Sequence, residues 1–382
     1  MSAAPGTPTG PEHGRGPVPQ PGPQPRHLPE GPSWEALRHH GDAELVPGGV
    51  DFAVNVRGNG PPAWLRDRLA DRLGDLGGYP TPDDVEAAVA SVAARHGVGR
   101  EAVLLLGGAS EGFHLLADHA ARRGLRAAVV HPSFTEPEVE LRRAGVQVHR
   151  VILSPPYGLD PALVPEEADL VVVGNPTNPT SVLHASATVA ALCRPGRVTV
   201  VDEAFCDMVS DEAGHTLAGA RLPGLVVLRS LTKTWALAGL RIGYAVGDLG
   251  VLADLAADRP HWPLGTLQLE AIRACLGPEA EGELEAARGQ VMAERRAMVA
   301  ALESAGIRVV VPPEAPFVLV RTPARADPAA FRAGLARRGI ATRRGDTFPG
   351  LDATHLRLAV RDGRMVDALV RAWRAEREGD RR

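Results

Sequence analysis

The sequence predicts an α/β fold in which a large domain, built on a mostly parallel sheet flanked by helices, is followed by a small α+β domain. A chain of 382 residues is too long for one small core, so two domains are expected. Between residues 61 and 246, short Val-, Leu- and Ile-rich runs alternate with helical patterns, which is typical of parallel strands covered by helices. These runs span residues 103–106, 127–130, 148–153, 170–173, 198–201, 225–228 and 242–246.

The chain divides into four parts with different compositions. Residues 1–32 contain ten prolines and six glycines, which predicts a disordered tail because too little apolar surface could be buried to offset the ordering entropy. Residues 33–60 form an N-terminal segment, and residues 61–265 form the large domain. Residues 266–382 begin with a helical pattern that could link two domains and continue as the small domain. Its strand patterns lie at 308–311, 317–320, 340–343 and 355–360, and its helical patterns at 328–338 and 364–378.

Composition narrows the class of partner. The formal net charge of −4 argues against nucleic acid or an anionic membrane surface and favours a small-molecule ligand. Cys193, Cys206 and Cys275 are widely spaced and fit neither a disulfide framework nor a CxxC metal site, so no metal centre is expected. The chain has no apolar run near the ~20 residues of a membrane span and no secretory signal pattern. A soluble, cytoplasmic protein is expected.

Lysine is almost absent from this sequence. Of 42 Lys and Arg residues, only Lys233 is a lysine. Arginine serves wherever a positive charge suffices, but a guanidinium cannot form an imine or readily lose its proton. Composition alone leaves chance as an equally good explanation, so the surroundings of Lys233 have to decide.

Polar residues follow several predicted strands at the point where each strand ends, which is where ligands collect in an open α/β sheet. Ala109 and Ser110 follow two glycines and open a helical pattern, so backbone N–H groups there could hold a phosphate. A serine at an ordinary helix start would look the same. Asn178 lies in the loop GNPTNPT, and Asp202 ends an apolar run where a carboxylate is costly to bury unless it meets a cation.

The loop after residues 225–228 gathers Ser230 and Lys233, with Arg241 eight residues beyond the lysine. A lysine among phosphate-binding groups and beside a buried carboxylate suits Schiff-base chemistry, because nearby cations and desolvation lower its pKa. A simple phosphate clamp is the alternative, although the chain has no GxxxxGKS/T loop.

Taken together, the motifs SLTKTWALAGLRIGY, GNPTNPT, VVDEAF and GGASE resemble the class I/II aminotransferase superfamily, in its order and rough spacing. The motifs DFAVN, GGYPTPD, DEAF and RLAVR most resemble the branch that holds threonine-phosphate decarboxylase and histidinol-phosphate aminotransferase. The resemblance covers residues 51–370. It implies pyridoxal 5'-phosphate (PLP) fold type I, that is, an aspartate aminotransferase-like fold, and PLP as cofactor.

The resemblance also implies roles around the cofactor. Lys233 would hold PLP as a Schiff base and, once freed, move the substrate proton. Asp202 would pair with the pyridinium nitrogen, Asn178 would hydrogen-bond the phenolic oxygen, and Phe134 would stack on the ring. The phosphate-binding positions are Ala109, Ser110, Ser230, Arg241 and, from the neighbouring subunit of a homodimer, Tyr79.

On the substrate side, the resemblance implies that Arg357 grips a carboxylate, with Arg343 and Asn55 nearby. Phe205 stands where many relatives have a tyrosine that bonds the phenolic oxygen, and Ser181 replaces a usual glycine. These departures concern the choice of substrate more than cofactor binding.

Three functions compete. The first is a PLP enzyme acting on an α-amino acid or its phosphate ester, with threonine-phosphate decarboxylation, as in cobalamin biosynthesis, slightly favoured over histidinol-phosphate-type transamination. The second is a non-catalytic PLP-binding regulator, which is disfavoured because such regulators usually carry a DNA-binding domain, and residues 1–32 are too short and too poor in helical pattern to be one. The third is an α/β oxidoreductase, which is disfavoured because this sequence lacks the GxGxxG signature that such an enzyme would need.

Overall fold

The computed structural model describes residues 31–58, 60–257 and 259–379, so most of the predicted disordered tail lies outside the described residues. The strands are β1 (Val50–Asp51), β2 (Val103–Leu106), β3 (Ala127–His131), β4 (Val148–Ile152), β5 (Leu170–Gly174), β6 (Val198–Asp202), β7 (Leu225–Ser230), β8 (Gly243–Gly247), β9 (Arg308–Val309), β10 (Phe317–Arg321), β11 (Ile340–Ala341), β12 (Arg343–Arg344) and β13 (His355–Ala359).

The helices are α1 (Trp34–Leu37), α2 (Ala63–Asp71), α3 (Pro82–His96), α4 (Ala109–Arg123), α5 (Glu136–Arg143), α6 (Ser186–Ala190), α7 (Glu212–His215), α8 (Leu249–Ala257), α9 (Thr266–Cys275), α10 (Pro278–Ser304), α11 (Pro328–Arg337) and α12 (Gly363–Gly379). Helix α3 shows why they begin and end where they do. Thr81 and Asp84 form a reciprocal capping box at its start. Gly97, with φ +63°, ends it in the left-handed region. No helix in the described part of the chain is long and apolar enough to cross a membrane.

The large sheet has the strand order β2-β8-β7-β6-β5-β3-β4. Only β8 runs antiparallel to its neighbours, and the other paired strands are parallel. Strands β6 and β7 are buried along almost their whole length, which explains why they read as continuous apolar runs. Apolar clusters cover both faces of the sheet. The predicted α/β class with a mostly parallel sheet is confirmed.

The small C-terminal unit is an antiparallel sheet in the order β12-β13-β10-β9, packed against the end of α10 and against α11 and α12. The predicted run 340–343 is two strands rather than one. Its first half, β11, pairs in parallel with β1, and its second half, β12, pairs with β13. The chain therefore changes partner at Thr342, a switch that an apolar pattern does not encode.

The N-terminal segment joins the small unit to the large one. Phe52 donates its N–H to the Ala341 carbonyl (2.9 Å) and accepts from the Ala359 N–H (2.8 Å), so the segment begins on the small sheet. Five residues later, the Arg57 N–H donates to the Lys233 carbonyl (3.2 Å). Residues 52–57 thus run from the small unit to the turn that carries the single lysine.

Candidate active site

The carboxyl ends of three neighbouring parallel strands bring the predicted site together. In the sheet register, Gly174 of β5 lies beside Asp202 of β6, and Asp202 lies beside Leu228 of β7. The loops that follow β5 and β7 carry Asn178 and Lys233. Side chains at one edge of a parallel sheet converge in this way because all the strands end there.

Lys233 is partly buried in the turn after β7. Burial lowers the pKa of its amine to about 8, and the charges of Arg357 and Arg241 add to this effect, whereas Asp202 and Asp42 oppose it. The amine therefore lies within the field of the small-unit arginine and of the carboxylate that ends β6. A pKa near 8 leaves a large neutral fraction in mildly alkaline solution, as a nucleophilic lysine requires.

Asp202 is a carboxylate without a strong partner. Its Oδ1 accepts the Ala204 N–H (3.1 Å). Burial raises the pKa of Asp202 to about 6, and the neighbouring charge of Glu203 raises it further, whereas Ala204 and Lys233 lower it. A positively charged group placed against this carboxylate would reverse the cost of ionising it. A protonated ring nitrogen is such a group.

The start of α4 forms an anion cradle with Arg241. Gly108, with φ +89°, precedes the helix and provides no side-chain cap. Glu111 donates its N–H to the Gly108 carbonyl (3.1 Å), whereas the N–H groups of Ala109 and Ser110 have no acceptor among the described residues. Arg241 donates from Nη2 to Ser110 Oγ (2.8 Å). A Cβ at position 108 would lie 2.9 Å from that nitrogen, which shows how closely the arginine covers the backbone. Free N–H groups, the positive helix end and a guanidinium suit a phosphate.

Two hydroxyls extend the cradle from the end of β7 and the turn that follows it. Ser230 Oγ and Thr232 Oγ1 are 2.8 Å apart and both side chains are buried. Ser230 was predicted to bind the phosphate, whereas Thr232, whose hydroxyl lies on the same stretch of chain, was given no role.

Phe134 follows β3 at the same edge of the sheet and is partly buried. Its ring packs against Phe113 (centroids 6.3 Å apart) and His40 (5.8 Å). The structure thus places an aromatic ring at this edge, as a stacking role would need.

Tyr79 does not join the cluster in its own chain. Its side chain is 72% exposed, and its ring stacks on Trp262 with centroids 4.0 Å apart and an interplanar angle of 13°. Its role at a neighbouring subunit's phosphate remains a prediction.

Arg343 and Arg357 lie directly opposite each other on β12 and β13, and both are buried. Arg357 donates from Nη1 to Asn178 Oδ1 (2.9 Å) and from Nη2 to the Ala53 carbonyl, while its Nε has no partner. Arg343 donates from Nη2 to the His39 carbonyl (2.6 Å). The predicted substrate arginines and the predicted cofactor asparagine are therefore brought together.

The two arginines form no ion pair with a carboxylate among the described residues. Burial lowers the pKa of Arg357 well below its usual range, with Arg343 adding to the effect, and burial lowers the pKa of Arg343 to about 10. The carboxylates of Glu44, Asp346 and Asp51 oppose this lowering only from a distance. Two buried cations without a directly paired carboxylate are unfavourable unless an anion binds to them. The pair therefore fits an anionic substrate group.

Asn55 is buried with 9% of its surface exposed, and neither its Oδ1 nor its Nδ2 has a partner. It lines a cavity of about 640 Å³ that Lys233 and Phe205 also line. Buried polar atoms are nearly always satisfied in folded proteins, so an unpartnered amide facing a cavity indicates a ligand contact.

The two departures from the family pattern have structural partners. Phe205 packs edge-on against Phe317 (centroids 5.0 Å apart). Ser181, with φ +65°, accepts the Ala315 N–H at 2.7 Å and so ties the GNPTNPT loop to the small unit.

Behind the site lies a buried ionic cluster that the sequence analysis did not identify. Arg229 donates to carboxylates of Glu203 (2.8 Å), Asp207 (2.7 Å) and Glu212. Asp207 also accepts from Thr234 Oγ1 (3.2 Å), next to Lys233. The signal was present, because Glu203 and Arg229 each follow an apolar run.

The residues at the sheet edge fit PLP, the cofactor that the resemblance implies. They offer an amine that is partly neutral near pH 8, a carboxylate that lacks a cation, an anion cradle and an adjacent aromatic ring. Lys233, Asp202, Asn178 and the cradle around Ser110 and Arg241 would hold it.

Comparisons with known proteins agree with this arrangement. The profile of the family described as aminotransferase class I and II matches residues 49–372. A histidinol-phosphate aminotransferase of Mycobacterium tuberculosis is 53% identical over 347 residues, which cover 91% of this chain and 93% of the relative. The threonine-phosphate decarboxylase of Salmonella typhimurium is 29% identical over 336 residues, which cover 85% of this chain and 91% of the relative.

A solved structure shows the same fold. The crystal structure of histidinol-phosphate aminotransferase from Sinorhizobium meliloti, in complex with pyridoxal 5'-phosphate, superposes with a TM-score of 0.74 at 20% identity. The alignment covers 85% of this chain and 90% of that one.

Proposed function

We propose, since the chain belongs to the aminotransferase class I and II family, that it transfers the amino group of L-histidinol phosphate to a 2-oxo acid. Membership of this family makes the protein an enzyme that uses PLP. The observation that carries the proposal is the placement of the Lys233 amine within the fields of both the Asp202 carboxylate and the substrate arginine Arg357.

Each residue has a part that its surroundings support. PLP, when bound, supplies an aldehyde and an electron-accepting ring. Asp202 holds a proton on the ring nitrogen, because that cation relieves the cost of its own ionisation. Lys233 accepts the proton from the substrate carbon that bears the amine. In the second half-reaction it returns a proton to the carbon of the 2-oxo acid that receives the amine. Ser110 and Arg241 hold the phosphate.

The paired arginines select the substrate class. Arg343 and Arg357 lie side by side without a carboxylate partner among the described residues. The phosphate of histidinol phosphate and the carboxylate of a 2-oxo acid are both anions that such a pair would bind in turn. Asn55 would contact the substrate through its unpartnered amide.

Decarboxylation of L-threonine O-3-phosphate is the second candidate. The sequence motifs favoured it slightly, and the relative at 29% identity carries that name. The relative at 53% identity carries the aminotransferase name and matches a larger share of this chain. Transamination is therefore placed first.

We also propose a homodimer in the cytoplasm, acting on small molecules and binding neither nucleic acid nor membrane. The exposed Tyr79–Trp262 stack supports the dimer, because two large rings stacked at a surface are suited to burial by a partner. A mixture of Tyr79→Ala and Lys233→Ala subunits tests it. If sites are shared, mixed dimers contain one site with both residues and recover activity that neither variant has alone.

Paired assays test the substrate proposal on the purified protein loaded with PLP. L-Histidinol phosphate and 2-oxoglutarate are expected to give glutamate, with no carbon dioxide released from L-threonine O-3-phosphate. Carbon dioxide release without amine transfer would select the decarboxylase instead. Cofactor binding without turnover of either substrate would refute both.

A further inference from the structure

Arg361, which follows β13, directs its whole guanidinium at the protein. Nε donates to the Asp51 carbonyl (2.7 Å), and Nη2 donates to the Val54 carbonyl (2.7 Å) and lies 3.6 Å from an Asp51 carboxylate oxygen. Nη1 donates to the carbonyls of Val56 (3.4 Å) and Val360 (3.2 Å). A guanidinium has five N–H donors; four of them have main-chain acceptors here, and the fifth lies on the nitrogen that forms the ion pair with Asp51.

The substrate arginines differ from Arg361 in this respect. The Nε of Arg357 has no partner, and neither Arg357 nor Arg343 pairs with a carboxylate among the described residues. Arg361 lines the same cavity as Lys233, yet four of its five N–H donors are bonded to main-chain carbonyls and its charge is paired with Asp51. Its effect on the reaction must therefore act through the segment it holds.

That segment, residues 51–57, contacts the site at three points. The Ala53 carbonyl accepts from Arg357 Nη2. Asn55 presents its unpartnered amide to the cavity. The Arg57 N–H donates to the Lys233 carbonyl (3.2 Å). The position of this one segment thus sets the direction of the substrate arginine, the place of Asn55 and the support of the lysine turn.

Without Arg361, little else would fix the middle of the segment. The sheet-like pairing of the N-terminal segment ends at Phe52, and residues 53–57 have no regular secondary structure. Asp51 Oδ1 accepts the N–H groups of Ala53 (2.7 Å) and Val54 (3.0 Å), which closes the first turn only. The carbonyls of Val54 and Val56 depend on Arg361.

We propose that Arg361 is a positioning residue, which holds residues 51–57 so that Asn55 and the Ala53 carbonyl are set for substrate binding. The inference rests on the proposed function, because it assigns a further residue to the same site. It does not require Arg361 to touch either substrate or cofactor.

Kinetics of the PLP-loaded enzyme test the proposal. Misplacement of substrate-binding groups by about 1 Å can cost on the order of 100-fold in rate, so Arg361→Ala is expected to lower kcat/KM by about 10- to 100-fold while cofactor affinity stays within about twofold. Millimolar guanidinium should restore much of the activity, because Arg361 lines an open cavity. Arg364→Ala, an exposed arginine three residues away, serves as the control and should neither lose activity nor respond to guanidinium.

A double-mutant cycle separates positioning from general damage. If Arg361 acts through Asn55, then Arg361→Ala should cost much less in an Asn55→Ala background than in the wild type. Equal losses in both backgrounds, with no rescue by guanidinium, would overturn the proposal. So would full activity of Arg361→Ala.

Amide hydrogen exchange gives a readout that does not need turnover. The peptide covering residues 51–57 should exchange faster in Arg361→Ala and be protected again by guanidinium, while the core strand β6 stays unchanged. If the wild type turns over neither substrate but this exchange pattern appears, the proposed function fails and the holding role of Arg361 stands. Unchanged exchange in residues 51–57 would refute the holding role itself.

Discussion

Replacing Asp202 by asparagine should stabilise the cofactor-free protein and at the same time disable the enzyme. Asp202 ends a buried strand, and the main hydrogen bond to its carboxylate comes from the Ala204 N–H. Burial raises its pKa to about 6, so above that pH the empty site holds a carboxylate that is costly to ionise. Asparagine keeps the shape and removes the charge.

The size of the effect follows from the pKa. A rise from 3.8 to about 6 corresponds to about 3 kcal/mol. The stability that protonated Asp202 contributes is fully present below the unfolded-state pKa of 3.8 and is lost as the pH rises through about 6. At pH 8 the Asp202→Asn apo-protein should therefore be more stable than the wild type by up to about 3 kcal/mol, whereas the difference should vanish below about pH 4.

Urea unfolding of the two apo-proteins at both pH values measures this difference. Asp248→Asn is the matched control, because hydrogen bonds from the N–H groups of Gly224, Val251 and Gly250 keep the pKa of Asp248 below its usual value. That substitution should destabilise the protein at pH 8. In the loaded enzyme, Asp202→Asn should lower kcat on the order of 100-fold, the size typical of losing one preorganised electrostatic partner. An Asp202→Asn apo-protein that is less stable than the wild type at pH 8 would refute the reasoning.

Three further predictions concern the cations of the site. Arg357→Leu should lower kcat/KM by about 1,000-fold, because Arg357 is expected to grip the substrate anion. The apo-protein should not be destabilised, because the substitution removes an unpaired buried charge. Exposed Arg308→Leu is the control for the steady-state kinetics, and equal kcat/KM values in the two variants would contradict the prediction. Arg241→Ala should weaken PLP binding by about 10- to 100-fold, which is the usual contribution of a charge-assisted phosphate contact. Titration of both variants with PLP measures this, with Arg123→Ala, at the other end of α4, as the control. Equal PLP affinities in the two variants would argue against the cradle. The rate at which apo-protein combines with PLP should rise with pH and level off above about 8, because only the neutral Lys233 amine reacts; a rate that keeps rising towards the ordinary lysine pKa of 10.5 would contradict the lowered value.

The fold and the centre of the site could be predicted because their signals are local. Runs such as 198–201 are apolar on both faces, and that pattern arises where helices cover a parallel sheet. Once the strands are placed, their ends are placed too, so Asp202, Asn178 and Lys233 had to meet at one edge. Because Lys233 is the only lysine in the sequence, it was also the only side-chain amine that could form the predicted Schiff base.

The substrate side was predicted less completely because it depends on contacts between distant parts of the chain. The Ala53 carbonyl lies 304 residues from Arg357, its partner, and a main-chain acceptor leaves no mark in the sequence. Arg361 appeared only as the last letter of RLAVR, although it holds residues 51–56. The break at Thr342, where the chain exchanges β1 for β13 as its neighbour, is likewise set by tertiary pairing.

Trapping of the cofactor by borohydride tests the central claim most directly, because the chain contains one lysine. After incubation with PLP, reduction and peptide mass spectrometry, the phosphopyridoxyl group should be found on the peptide that contains Lys233 and be absent from Lys233→Ala. Attachment only at the N-terminal amine, or the same attachment in both proteins, would contradict the role given to Lys233.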